Sequence, residues 1–155
     1  MKQTDEMVQK VVEQARKNLK SSDMLLPTFF VGTSDQMVIV GADWQDDQDK
    51  DLVAYKVKRL AHEMNAEFVV FVAESWTMDS GDAPDFMKNR DKYPDVHSYP
   101  KSYECVMFSI ETATSIQMGR AKILKGRVMG DIEWMRSDGS EGRFTNFLGK
   151  KPTMN

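Results

Sequence analysis

The spacing of apolar residues near the start of the chain predicts one helix and one β-hairpin. Valine, alanine and leucine recur at helical intervals between Thr4 and Leu19, which places them on one stripe of a helix with Thr4 as its N-cap. Two short apolar runs follow, at residues 27–32 and 36–41, and the polar residues 33–35 between them suit a tight hairpin connection. Both runs are nearly continuous in apolar residues, so we expect this hairpin to be covered on both faces.

A second helix and a central strand are predicted in the middle of the chain. The acidic segment 43–51 leads into an apolar helical stripe that ends at Asn65, a residue that tolerates the left-handed backbone of a helix terminus. We expect the carboxylates of this segment to cap the helix and to interact favourably with its dipole. The run from Glu67 to Trp76 contains six consecutive apolar residues, 68–73, and is typical of a strand that is buried on both faces.

The second half of the chain predicts a long loop and an antiparallel series of strands. Residues 77–101 contain three prolines and little periodicity, which indicates an irregular loop. Asp138-Gly139 is the clearest hairpin signal beyond it. The further strands are predicted at 102–112, 115–124, 127–135 and 143–147. We expect residues 149–155 to form a flexible tail.

The order of these elements predicts an α+β fold, α-β-β-α-β-long loop-β-β-β-β. Such a fold packs two helices on a mainly antiparallel sheet, and we expect both helices on one face of that sheet. The 155 residues fit one domain, which we assign to residues 1–148.

Charge is unevenly distributed along the chain. The net charge of −3 combines 13 basic and 20 acidic side chains in residues 1–114 with 8 basic and 4 acidic ones in residues 115–155. Four of the basic residues cluster around one predicted hairpin: Arg120, Lys122, Lys125 and Arg127. They form either a solvated sheet edge that resists edge-to-edge pairing or a contact surface for an acidic partner. Because the whole chain is acidic, we do not expect a general nucleic-acid binder, and association of nucleic acid with these four residues is a third hypothesis that predicts a steep salt dependence of binding.

Several kinds of chemistry are excluded by what the sequence lacks. Residues 1–6 are polar, and the longest apolar run is far shorter than the roughly 18 residues of a membrane span, so we expect a cytoplasmic protein that binds no membrane. One cysteine, Cys105, rules out a zinc site of four cysteines, and two histidines rule out a site of three histidines within one chain. His62-Glu63 begins like a metalloprotease helix, but Ala66 occupies the position of the second histidine. We expect no metal and no cofactor, and the catalytic residues, if the protein is an enzyme, are unknown.

The long loop and the strand before it supply the candidate ligand site. Loops of more than about 12–15 residues are uncommon in compact domains and are often functional. Glu74 and Trp76 share one face of the strand that enters the loop, and His97 and Tyr99 lie within it. In one interpretation Glu74 is a sheet residue that is hydrogen-bonded to the backbone of the loop, and Trp76 covers the end of the core. In the other, all four side chains line a pocket that the loop closes.

The strand and the loop around residues 71–106 contain features that also occur in other proteins. The strand 71–76 ends in Glu-Ser-Trp and is followed by a proline-containing loop and by the alternating segment 100–106. In these features residues 50–115 resemble a group of small uncharacterised bacterial and phage-associated proteins. The resemblance implies a bacterial or phage cytoplasmic setting, and it implies no activity and no catalytic residue.

Two classes of function are consistent with the sequence. We expect a non-enzymatic domain that binds a protein partner or associates with itself as a homodimer, because the catalytic motifs are incomplete, the predicted hairpins look exposed and the chain contains 12 methionines. Methionine mostly fills gaps in cores and also coats adaptable binding surfaces. The alternative is a small-molecule-binding protein or small enzyme with a pocket near Glu74, Trp76 and His97 under the 77–101 loop.

Overall fold

The computed structural model describes residues 2–137 and 147–149. They form three helices: α1 (Lys2–Ser21), α2 (Asp47–Met64) and α3 (Ala83–Lys88). They also form six strands: β1 (Thr28–Gly32), β2 (Met37–Gly41), β3 (Phe68–Thr77), β4 (Tyr103–Thr112), β5 (Ile116–Leu124) and β6 (Val128–Ser137). The predicted α+β class is confirmed. None of the three helices combines the length and the apolar composition that crossing a membrane requires.

The six strands form one sheet in the order β2-β1-β3-β4-β5-β6, and every neighbouring pair is antiparallel. The central pair, β3 and β4, is in register over ten residues, from Phe68 opposite Thr112 to Thr77 opposite Tyr103. The short hairpin of β1 and β2 extends the sheet on one side, which leaves β2 as an outer strand.

The two long helices lie on opposite faces of the sheet. Phe30 belongs to the core under α1 together with Val11, whereas its neighbours Phe29 and Val31 belong to the core under α2 together with Val57. Successive strand residues point to opposite faces, so the two cores are separated by the sheet. The expectation that both helices share one face is therefore wrong. The apolar runs in β1 and β3 are continuous because each of these strands supplies side chains to both cores.

Helix α2 begins within the acidic segment. Asp46 is its N-cap and accepts a hydrogen bond from the backbone N–H of Asp49 at 2.8 Å. Asn65 ends the helix in the left-handed conformation, with φ of 51°. The capping role of the acidic segment and the terminating role of Asn65 are thus confirmed, and four residues of this segment form the first turn of the helix.

The segment 77–101 contains more regular structure than the sequence predicted. Pro84 lies in the first turn of α3, where a missing backbone N–H disrupts nothing, so this proline helps to begin a helix. Tyr99 is buried and packs edge-on against Phe86 and Tyr93, at ring-centroid distances of 5.6 and 5.1 Å. These aromatic residues give the segment a small core of its own.

The predicted strand 143–147 lies outside the described residues except for Phe147, which is in a turn. Of the predicted tail, the structure describes Gly149 alone.

Candidate functional site

Glu74 is held by hydrogen bonds from two separate parts of the chain. Its carboxylate accepts from the backbone N–H of Leu25 at 2.8 Å and forms an ion pair with Arg127. The Nε of Arg127 also donates to the carbonyl oxygen of Leu19 at 3.0 Å, close to the end of α1. Glu74 therefore connects α1, the approach to β1 and the β5–β6 hairpin, and these partners come from outside the 77–101 segment.

Trp76 and His97 are brought into direct contact. Their ring centroids are 4.2 Å apart at an interplanar angle of 40°, and both side chains are exposed. Tyr99 instead points into the small core of its segment and donates a hydrogen bond from its hydroxyl to Asp85 at 2.9 Å. Burial, with a further contribution from Asp85, raises the pKa of Tyr99 to about 12. The ligand-binding role of Glu74, Trp76, His97 and Tyr99 stays a prediction.

The basic hairpin is engaged mainly in contacts within the fold. Arg120 pairs with Glu133 at 3.2 Å and donates to the carbonyl oxygen of Met78 at 3.2 Å. The Nζ of Lys122 lies 4.5 Å from the centre of the Tyr103 ring, and Arg127 pairs with Glu74. Arg120 and Lys122 flank the buried Ala121, so they project from the sheet face opposite the α1 core. Arg120 and Arg127 are therefore bonded within the fold, whereas Lys122 and Lys125 are exposed, and their contact with an acidic partner stays a prediction.

In the described part of the chain, no three side chains of histidine, cysteine, aspartate or glutamate are grouped so as to hold a metal ion.

The backbone edge of β2 is a feature that the sequence did not single out. Two bonds delimit the β1–β2 ladder: Thr33 N–H donates to Gln36 O at 2.9 Å, and Ala42 N–H donates to Pro27 O at 2.8 Å. Because bonding in an antiparallel pair alternates, the even-numbered residues between them bond to β1. The backbone N–H and C=O groups of Met37, Ile39 and Gly41 consequently point away from the sheet, on the side where the described residues supply no further strand.

The side chains of β2 are also exposed. Ile39 is 59% exposed and Val38 is 40% exposed, and they project from opposite faces. The expectation of a hairpin covered on both faces therefore holds for β1, whose residues Phe29 to Val31 are buried, and is wrong for β2. Native sheets usually protect an edge with charged side chains, proline or a bulge. Met37 to Gly41 contain neither a charged residue nor a proline.

A groove of about 390 Å³ lies between α1 and this end of the sheet. Its floor and walls are mainly apolar and include Val11, Leu25, Leu26, Phe30, Met37 and Ile39. Lys10, Gln14 and Asn18 line it from α1 at intervals of four residues, so they share one face of that helix. We call the outward backbone groups of residues 37–41 together with this groove the β2 edge. The absence of charge in residues 37–41 was the one signal in the sequence that could have identified it.

Comparisons of the chain with models of known protein families, with curated proteins and with solved structures find no match. The resemblance of residues 50–115 to bacterial and phage-associated proteins stays an expectation from the sequence.

Proposed function

We propose that this protein is a non-enzymatic binding domain that takes up an extended segment of another polypeptide as an additional strand beside β2. The observation that carries the proposal is the set of outward backbone groups at Met37, Ile39 and Gly41, next to an apolar groove. In strand addition, main-chain hydrogen bonds supply affinity and pockets for alternate side chains supply specificity. The β2 edge offers both elements.

The groove is needed as well as the backbone edge. Each backbone bond contributes about 0.5–1.5 kcal/mol net, and covering an isoleucine contributes about 1.5–3 kcal/mol at most. These gains only approach the loss of translational and rotational freedom on association, which is about 4–15 kcal/mol. A bound strand therefore needs apolar side chains that enter the groove beside Ile39.

A peptide selection with matched variants tests this function. Random peptides of about ten residues, long enough to pair with β2 and to extend past both of its ends, are displayed and selected on the wild type, on Ile39→Pro and on Met87→Ser. Ile39→Pro removes an outward N–H without removing a bond to β1, as proline does at the exposed side of an edge strand. Met87→Ser is the control, because Met87 is 62% exposed on α3 and does not line the groove.

We expect peptides that are enriched on the wild type and on Met87→Ser and lost on Ile39→Pro. Circular dichroism and thermal unfolding establish that the variants are folded. Enrichment of the same peptides on all three proteins, or no enrichment at all, contradicts the proposal.

The alternative function, binding of a small molecule near Glu74, Trp76 and His97, is supported by the exposed contact of Trp76 with His97. A thermal-shift screen of small molecules against the wild type and His97→Ala tests it, with stabilisation of the wild type alone as the supporting result. We also propose a cytoplasmic setting, since the buried free thiol of Cys105 suits a reducing compartment. Fractionation of the native host checks that setting.

A further inference from the structure

We propose that the strand bound at the β2 edge carries lysine or arginine on both sides of an apolar centre. This inference rests on the proposed function and adds the chemical class of the partner. It also favours a different polypeptide over a second copy of this chain.

Carboxylates stand at both ends of β2. Asp35 precedes the strand and Asp43 follows it, and both side chains are exposed. Neither forms an ion pair with any residue that the structure describes. The next acidic residues are used differently, since Asp46 caps α2 and Asp49 accepts from the backbone N–H of Gln45 at 3.2 Å. A partner strand in either direction therefore meets one available carboxylate at each end.

Pairing of β2 with a second copy is disfavoured by the same charges. A two-fold contact is self-complementary, so antiparallel pairing centred on Ile39 places Met37 opposite Gly41 of the other copy. Asp35 lies in the turn before β2 and Asp43 lies two residues after the strand, so this pairing brings Asp35 of one copy and Asp43 of the other to the same end of the contact, twice over. Like charges gathered at the ends of two paired strands repel each other and disfavour the pairing. Basic residues at these positions instead form two exposed ion pairs, each worth roughly a 2- to 5-fold gain in affinity.

The groove defines the centre of the bound strand. Its lining is mostly apolar and contains one cation among the described residues, Lys10, on the α1 wall. An apolar side chain fits beside Ile39 and Phe30, while a basic side chain there would lie in the groove with Lys10. The basic residues of the partner are thus confined to its flanks.

Two labelled synthetic peptides with one core sequence test the inference. The core is taken from the peptides enriched in the selection above, and it is flanked by lysines in one peptide and by glutamates in the other. Fluorescence anisotropy measures the affinity for the wild type, for Asp35→Asn/Asp43→Asn and for Asp91→Asn/Asp131→Asn. The last variant is the matched control, since it removes the same charge at exposed carboxylates outside the β1–β2 hairpin.

We expect the wild type and the control variant to bind the lysine-flanked peptide about tenfold more tightly than the glutamate-flanked peptide at low salt. The lysines gain two ion pairs, and they avoid the two repulsions that the glutamates meet. The preference disappears in Asp35→Asn/Asp43→Asn and shrinks near 1 M salt, where the screening length is about 3 Å. Equal binding of both peptides, abolished by Ile39→Pro, overturns this inference and leaves the proposed function intact. A wild-type dimer in sedimentation that Ile39→Pro dissociates overturns it in favour of a second copy. Failure to enrich any peptide overturns both proposals.

Discussion

Arg127 forms an ion pair with Glu74 although its own backbone is in the left-handed region, with φ of 59°. A residue with a side chain is disfavoured in that region by about 1–2 kcal/mol relative to glycine. The Arg127 side chain offsets this cost, because it bonds both Glu74 and the carbonyl oxygen of Leu19. A strained turn residue thereby fastens the β5–β6 hairpin to the end of α1.

Two substitutions at Arg127 distinguish the stability that its side-chain contacts contribute from the cost of its left-handed backbone. Both Arg127→Ala and Arg127→Gly remove the ion pair, which is only partly exposed, and we expect Ala to lower the free energy of unfolding by about 2–3 kcal/mol. Glycine relaxes the turn, so Arg127→Gly loses about 1 kcal/mol less. Urea denaturation measures both values. The control is Arg59→Ala, which breaks an exposed pair with Glu63 and changes stability by at most about 0.5 kcal/mol. A loss at Arg127 no larger than this would show that the pair contributes nothing.

Glu111 anchors the segment that contains Phe147. It is 5% exposed, and its two carboxylate oxygens accept from the backbone N–H groups of Phe147 and Leu148 at 2.9 and 2.7 Å. Phe147 packs edge-on against Phe29 in the α2 core, at 5.7 Å between ring centroids. One buried carboxylate therefore holds a distant segment against the sheet.

We expect Glu111→Ala to lower the free energy of unfolding by about 2–4 kcal/mol, since two amide donors lose their charged acceptor. Hydrogen exchange at the amides of Phe147 and Leu148 should accelerate at the same time. Glu111→Gln retains one acceptor oxygen and should give an intermediate loss. Glu104→Ala, at an exposed glutamate of the same strand, is the control and should be nearly neutral. Unchanged exchange in Glu111→Ala would refute the anchoring role.

Features encoded by neighbouring residues were predictable from the sequence. The end of α2 at Asn65 depends on one residue that tolerates positive φ, and the turn after Gly32 depends on the polar residues 33–35. The helical stripe between Thr4 and Leu19 likewise identified the buried side of α1, whereas the prediction of Thr4 as its N-cap is wrong, because the helix already begins at Lys2. In each case the decisive interaction lies within a few residues, so the pattern contains it.

Features that depend on distant residues were not predictable in this way. The partners of Glu74 lie 49 and 53 residues away, and those of Glu111 lie 36 and 37 residues away. Apolar periodicity shows that a strand has two buried faces, but it does not show which helix covers each face. The exposure of Ile39 has the same origin, because it follows from the position of β2 at the end of the strand order.

Gly32 and Gly41 end the two strands of one hairpin but differ in the space around them. A Cβ added at Gly32 would lie 2.7 Å from the carbonyl oxygen of Gln36 and 2.7 Å from the buried ring of Phe68. Nothing lies within 4 Å of a Cβ added at Gly41. We expect Gly32→Ala to lower the free energy of unfolding by about 1–3 kcal/mol, as overpacking does, and Gly41→Ala to change it by at most about 0.5 kcal/mol. Equal denaturation midpoints for the two variants would contradict this steric account.

Cys105 is expected to be an unreactive thiol whose burial stabilises the fold up to mildly alkaline pH. It is fully buried on β4, and burial raises the pKa of its thiol from 9.0 to about 11, with Arg120 acting in the opposite direction. Alkylation by iodoacetamide at pH 8 should then be slower than in urea by about 100-fold or more, since two pKa units reduce the thiolate fraction about 100-fold.

The same pKa difference makes stability depend on pH. The thiol of the unfolded chain ionises at a lower pH than the thiol of the folded protein. The stabilisation from keeping Cys105 protonated and buried is therefore complete below pH 9 and is lost as the pH rises towards 11. The free energy of unfolding of the wild type minus that of Cys105→Ala should shrink across that interval. The tyrosines are the same in both proteins, so their titration cancels in this difference. Rapid alkylation of the folded protein at pH 8, or a difference that does not change between pH 8 and 11, would refute the prediction.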